Sequence, residues 1–395
     1  MTHSQRSLTP LYCLHQAAYF FAMAGISAFA VTYLLTRGFA SAQIGVMLAS
    51  TNILSCILQP LIGSYVDKTS VAKLEKIVPA FLIAAIAALT CVELLRLPLP
   101  VTGLLYVAGC LCFSITLPLL NPLCAHYTQI GYPIDYGAGN GTGSLSFSFA
   151  SLAFGYIIAN LGTRVMMLVA LVFLATQLLI VARYPKVQSV QRGDAQIQHV
   201  QSLSIPAFCC RYRLFMVTML GVMFLAACHA MAENYLIHLF ERIGGGSEHV
   251  GTALFLACIT AAPFMLFFER IQTRISVVIL LRLSGLFYIL KASLLIWAPT
   301  ITSIYLIELL QTFTYAFLYP SLYYLVLQRV TPEDMAKGQT LTTALFTLGM
   351  AMGNSLGGIL IDHLGLNAML TLAACIAVAG TALVNITIGK RDTLA

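Results

Sequence analysis

The chain has 395 residues, 59% of them hydrophobic and only 9% charged, with a net charge of +7. A soluble domain carries about 25% charged residues, so this composition excludes a string of soluble domains and places the protein in a lipid bilayer, where length counts spans. The positive balance reflects topology rather than nucleic-acid binding, because the basic residues gather in the loops of one side.

Twelve apolar runs follow in order. Each must be helical, because backbone polar groups in hydrocarbon have to be satisfied within their own segment. The first three cover about 11–35, 43–65 and 76–95. The first begins only after Pro10 and is long enough to span, which argues against a cleavable leader. His15, Gln16 and Tyr19 lie along it at helical spacing and could face a cavity, as could Asn52 and Gln59 in the second. Between the second and third runs stands Gly63-Ser64-Tyr65-Val66-Asp67-Lys68-Thr69. Gly63 permits close helix approach there, and Asp67 can pair a base or cap a neighbouring helix. Glu93 and Arg96, three apart at an outer helix end, read as an interfacial pair. Runs at about 99–123, 140–160 and 163–183 complete a first six, with Asn121 in the fourth and Asn140 opening the fifth.

The longest polar stretch, about Tyr184 to Arg211, is rich in Gln, Ser and Arg and reads as a linker, with room for a short surface helix. The expected organisation is therefore a six-helix bundle over 1–183, a cytoplasmic linker over 184–211 and a second six-helix bundle over 212–395. The second set runs over about 212–240, 249–268, 275–297, 301–328, 338–361 and 365–388. Of the 21 lysines and arginines, Arg282 and Lys291 lie inside apolar runs, and Arg37, Arg96, Arg164 and Arg242 in the loops of one side. All the others fall on the side that holds the termini and the linker. This asymmetry sets both termini in the cytoplasm of a multi-pass protein of the cytoplasmic (inner) membrane.

The two halves repeat each other. Gly38, Ser41, Ile44 and Gly45 recur as Gly244, Ser247, Val250 and Gly251, between the first two helices of each half. Gly155 and Leu161-Gly162 recur as Gly358 and Leu364-Gly365, and Pro118 as Pro320. Three matches in one order, with nearly one offset, fit parallel six-helix repeats with a midplane site, which is a transporter plan.

The hairpin from Leu283 to Leu327 carries two opposite charges. Lys291 and Glu308 each lie eight or nine residues from the turn at Pro299-Thr300, roughly 12–14 Å deep in a core of about 30 Å. Glu233 reaches a similar depth in the seventh run. Each such charge costs about 2.5–3.5 kcal/mol, so intramembrane ionisable groups pair and mark pathways. Desolvation raises a carboxyl pKa and a nearby cation lowers it, so an acid–lysine–acid cluster can be tuned by opening and closing. Glu308, on the adjacent hairpin arm, is the expected partner of Lys291, which leaves Glu233 as the proton carrier. The alternative is a fixed buried ion pair that only orients two helices. His229, one turn before Glu233, could relay protons, contact substrate or simply be packed. Asn234 and Gln311 could bond a polar solute. Tyr315, with Phe317, Tyr319, Tyr323 and Tyr324, could stack a ring or form an ordinary packed stripe.

The eleven cysteines are scattered and no spacing reads as a metal site. Metalloprotease, serine-nucleophile and P-loop motifs are lacking too. The expectation is a transporter, not an enzyme, with no cofactor or metal beyond the proton gradient, a small-molecule substrate, no nucleic acid, and a monomeric state.

Over essentially its whole length the chain resembles the major facilitator superfamily, whose loop after the second helix the Gly63–Thr69 stretch is similar to, without the later arginine pair. The resemblance implies an all-α membrane protein, twelve transmembrane helices in two six-helix pseudo-repeats, rocking to alternate access. Within the superfamily it looks like the lactose permease and phenylpropionate permease group of proton symporters. The stretch from Asp135-Tyr136-Gly137 to Gly143-Ser144 is similar to the start of their fifth helix. Glu233, Lys291 and Gln311 fall where the lactose permease has a seventh-helix aspartate, a ninth-helix arginine and a tenth-helix histidine. Asn121 and Asn140 stand where galactoside binders carry a glutamate and an arginine, Thr314 where their proton-carrying glutamate lies, and Glu308 replaces a lysine. The architecture carries over; galactoside recognition does not. The expected function is secondary-active, proton-coupled symport of a small polar or aromatic solute, of the sugar or organic-acid class. The alternative is a proton-driven antiporter exporting drugs or metabolites. Against it stand a fifth helix without the exporters' Gly-Pro run and a fourth helix without a buried arginine.

Overall fold

The computed structural model describes the backbone of residues 7–67, 71–129, 132–185 and 203–388, with side chains over the same ranges apart from residues 60, 63–67, 71–75, 121–126 and 129. Lys68, the surroundings of Gly63 and Asp67, the side chain of Asn121 and most of the 184–211 linker therefore lie outside the described residues. Among those described, every regular element is a helix. Among the described residues, eleven helices are long and apolar enough to cross a membrane, or twelve if one bent pair counts as a single span.

That pair is the first span, α1 (Thr9–Met23) and α2 (Ala30–Thr36), joined through a π turn at Ala24–Ala28 and bent by 51°. A π turn upsets the helical ladder and frees carbonyls. Here Ile26 O accepts a hydrogen bond of 2.6 Å from Tyr106 Oη. There follow α3 (Ser41–Asp67), α4 (Val71–Leu94), α5 (Leu99–Gln129), α6 (Tyr136–Leu161) and α7 (Thr163–Val181). Asp135 caps α6 by accepting from Ala138 N, the preferred chemistry for a helix start. A short helix, α8 (Ile205–Arg211), ends the linker. The second half comprises α9 (Arg213–Asn234) with α10 (Leu236–Glu241), α11 (Ser247–Leu266) with α12 (Phe268–Arg274), α13 (Val277–Ile296), α14 (Ile301–Glu308) with α15 (Tyr315–Arg329), α16 (Met335–Leu364) and α17 (Leu366–Thr387).

The repeat read from the sequence reappears in the backbone. Among the described residues, positive φ occurs at Gly38, Gly162, Gly244 and Gly365. These are two repeat-related pairs, each at the same junction of its half, where an L side chain would be strained.

The chain divides into two compact units, Met1–Phe39 with Leu54–Gln196, and Ala40–Ile53 with Ile197–Ala395. One division between the units falls in the linker. The first half of α3, however, groups with the C-terminal unit, which no local sequence signal indicates.

In the N-terminal unit, α1 lies close on α6 because Gly139 and Gly143 carry no side chain. A Cβ there would come within 2.2 Å of the Tyr12 ring and 2.5 Å of the Phe20 ring. His15, Gln16 and Tyr19 do not line an open face but are buried. Gln16 donates to Tyr12 Oη, His15 meets Gln177, and Tyr19 stacks on Phe113 with centroids 4.6 Å apart. Glu93 departs from the expected interfacial pair. Its side chain is fully enclosed and binds Tyr33, Arg37 and Arg164, while Arg96 lies beyond the helix end, exposed.

In the C-terminal unit, α9 packs along α16 and α17 at glycines. A Cβ on Gly349 or Gly353 would sit 2.2 Å from Met223 O or Ala227 O, and Gly221 faces Gly380 O. Apolar tails supply no hydrophobic drive between helices, so close backbone approach and van der Waals contact carry the association. The first turn of α3 is held in this unit by Asp362 of α16, whose carboxylate accepts from Ser41 N at 3.2 Å and Ala42 N at 2.7 Å.

Candidate functional site

Lys291 projects from α13 into the interior of the C-terminal unit, only 2% exposed. Its Nζ donates to Glu233 of α9, to Glu308 of α14 at 2.8 Å and to Gln311 Oε1 at 3.0 Å. An ammonium has three N–H donors, and here each has an acceptor. The expected Lys291–Glu308 pair is present. The ammonium is shared with Glu233 rather than engaged by Glu308 alone.

The helices break where this cluster sits. Glu308 is the last residue of α14, followed by a 3₁₀ turn at Leu309–Thr312 and by Thr314, whose φ of −89° and ψ of −86° lie outside the helical region. Glu233 is the last but one residue of α9, and Tyr235 interrupts the helix before α10. Both carboxylates thus stand at helix C-terminal ends, where the backbone already gathers partial negative charge. Lys291 supplies the compensation. Glu308 Oε1 has no hydrogen-bond partner among the described residues.

An aromatic wall adjoins the ions. His229 stacks on Tyr315 with centroids 5.0 Å apart and meets Tyr288 edge-on at 6.0 Å. Tyr315 stacks in turn on Tyr319 at 5.3 Å, and Phe346 closes on Tyr319. His229 Nδ1 is buried without a hydrogen-bond partner among the described residues, and Tyr288 Oη has none there beyond an interaction with the Thr314 side chain. Polar atoms of this kind are rare in packed interiors and ask for a water, an ion or a ligand group.

Of the residues singled out in the sequence, Glu233, Lys291, Glu308, Gln311, His229 and Tyr315 come together in this one unit. Asn234 lies beside them but turns to Asn354 of α16, donating to its Oδ1. Tyr19 and Asn140 belong to the N-terminal unit, the former packed and the latter exposed near the start of α6. Sequence reasoning missed Ser284, Tyr288 and Asn354. The first two carried a readable signal: they precede Lys291 by seven and three residues and so share its helical stripe. Asn354 gave none beyond being polar within an apolar run.

Comparison with known proteins agrees with the architecture. The profile of the MFS_1 like family matches residues 12–371. The uncharacterized transporter YwbF of Bacillus subtilis (strain 168) is 23% identical over 348 residues, covering 86% of this chain and 82% of that protein. The maltose permease of Geobacillus stearothermophilus is 27% identical over 274 residues, covering 66% of this chain and 65% of the permease, just under two thirds of its length. Among solved structures, the nucleoside transporter NupG superposes with a TM-score of 0.77 at 17% identity, covering 96% of this chain and 98% of that one. A POT family transporter in complex with 5-aminolevulinic acid gives 0.69 at 12% identity, over 95% of each chain. At such identities the structures establish a common fold and nothing finer.

Proposed function

The chain belongs to the MFS_1 like family of major facilitator transporters, and from that membership we propose that it is a secondary-active, proton-coupled symporter of a small polar or aromatic solute, of the sugar or organic-acid class. The observation that carries this reading is the buried set of two carboxylates on one ammonium. Two acids and one base leave one negative charge over, and an uncompensated charge in such a place costs several kcal/mol. One proton taken up by the pair removes the excess. Returning that proton to water when the site changes its exposure links proton movement to solute movement. Glu233 keeps 10% of its side chain exposed and Glu308 none, so the proton enters and leaves through Glu233, with His229 one turn away as a relay. A relative named for maltose is in keeping with a solute of sugar size. On the charge asymmetry, the protein works in the cytoplasmic membrane with both termini inside.

The test is Glu233→Gln, which mimics the protonated acid and cannot release the proton. In a symporter the loaded carrier still exchanges solute, whereas net movement needs the empty, deprotonated carrier to return. With a panel of sugars and small organic acids in de-energised vesicles, the native protein should accumulate one of them when a pH gradient is imposed. Glu233→Gln should lose that accumulation and keep counterflow. A variant that still accumulates solute removes Glu233 from the coupling role.

A further inference from the structure

The tenth span is interrupted beside the carboxylate pair, and a chain of side chains joins the interruption to Lys291. Gln311 sits in the 3₁₀ turn, and its Oε1 accepts from Lys291 Nζ at 3.0 Å and from Thr314 Oγ1 at 3.2 Å. The Thr314 hydroxyl has one proton but further acceptors within 3.3 Å, the carbonyls of Leu310 and Gln311. Thr314 O, which takes the first bond of α15 from Leu318 N at 3.0 Å, also accepts from Ser284 Oγ of α13 at 2.9 Å. Ser284 and Thr314 are both fully buried, so neither has water to fall back on. The backbone between α14 and α15 keeps bonds from Phe313 N and Thr314 N to Leu310 O, and three side-chain bonds add to them, one ending on the ammonium.

We propose that Gln311 and Thr314 are positioning residues that convert the protonation state of the Glu233–Glu308 pair into the setting of a hinge at Leu309–Thr314. The inference rests on the coupling role proposed above and goes beyond it by naming the element that moves. With both acids ionised, Lys291 is centred between them and all three of its N–H groups are engaged, Gln311 among them. A proton that enters through Glu233 and rests on Glu308 neutralises the partner on the hinge side. Lys291 is then drawn to Glu233 on α9, away from Gln311. Gln311 Oε1 loses its anchor, the Thr314 hydroxyl turns back to the carbonyls of its own turn, and the joint between α14 and α15 loosens. The titratable groups facing the hinge are Glu233, His229 and Cys228 on α9, Cys258 on α11, Tyr288 and Lys291 on α13, Glu308 before the turn and Tyr315 after it. In model compounds, phenols and thiols carry no charge in the acid-to-neutral range, so His229 is the competing sensor and needs its own control.

The experiment measures two quantities across pH on the purified full chain: the carboxylic C=O band in infrared difference spectra, and the hydrogen-exchange protection of the amides from Thr312 to Leu318. Protection is taken relative to the unstructured rate at each pH. In the native protein, protection should fall on acidification in step with the growth of the carboxylic band. Thr314→Val keeps the shape and removes the hydroxyl; its band should still titrate while protection is low and flat. Thr314→Ser should restore the step. Glu308→Gln should give low, flat protection at every pH, and His229→Gln should keep the step. Flat protection in the native protein while the band titrates overturns the hinge alone. So does a Thr314→Val variant that retains the pH step, because a merely structural hydroxyl would lower protection without removing its pH dependence. A step lost with His229→Gln assigns the sensing to His229 and overturns the proposal. A native protein with no titrating carboxyl band overturns both the hinge and the coupling role.

Discussion

Lys291 is a single cation answering two buried acids, which makes its removal the most damaging neutral substitution in the C-terminal unit. Lys291→Met strands both carboxylates, and breaking a buried pair in this way costs about 3–5 kcal/mol. Adding Glu308→Gln removes one stranded charge, so the double variant should regain most of the loss. Thermal unfolding in detergent checks this: a double variant no more stable than Lys291→Met would mean that Lys291 and Glu308 do not compensate each other. Glu93 in the N-terminal unit poses the reverse case, one enclosed acid between two arginines of unequal burial. Arg164 is 70% exposed in its side chain and 3.4 Å away, whereas Arg37 is 27% exposed and also lies over the Tyr33 ring. Solvent screens the first to about 0–1 kcal/mol. Arg37→Gln should therefore lower the unfolding temperature clearly and Arg164→Gln hardly at all; equal effects would show that both pairs are surface ornaments or both essential.

At the scale of elements, the first turn of α3 depends on a carboxylate from another helix. Its leading N–H groups have no partners within the helix, and Asp362 of α16 accepts two of them. Losing such a cap costs about 1 kcal/mol, so Asp362→Ala should raise amide exchange at Ser41 and Ala42 roughly five-fold, with Asp362→Asn in between. Unchanged exchange would mean that the turn is held by packing alone. The packing there is close: a Cβ on Gly358 would lie 2.0 Å from Ser41 O, and one on Gly45 2.3 Å from Asn354 O. Gly358→Val should therefore expose the first turn of α3 more than the loss of the cap does. Broken spans follow the same rule as caps. Where a span is interrupted, side chains of other helices bind the carbonyls at the break, as Tyr106 does at Ile26 and Ser284 at Thr314.

For the whole molecule, the charge asymmetry is the basis for proposing that the linker faces the cytoplasm. Cys210, exposed at the end of the linker on α8, offers a direct check. A membrane-impermeant maleimide should label it in inside-out vesicles and not in right-side-out ones. Labelling only from the outer face would invert the topology and with it the direction of coupling.

Several features were legible in the residues alone because they depend on local chemistry. The number of spans follows from runs of apolar residues, and the junctions from glycines that tolerate positive φ. That Lys291 lies well inside an apolar segment follows from counting along the chain. What counting does not yield is azimuth, the direction in which each side chain leaves its helix relative to helices far away in sequence. Only the packed tertiary structure decided that Lys291 takes both acids and Gln311 together, that Glu93 turns from Arg96 to Arg37 and Arg164, and that Tyr19 is packed away. It also decided that the first half of α3 groups with the C-terminal unit and that the tenth span breaks beside its glutamate. Each of these rests on close approach between helices that share no local sequence, set by small residues on one and side-chain donors on another.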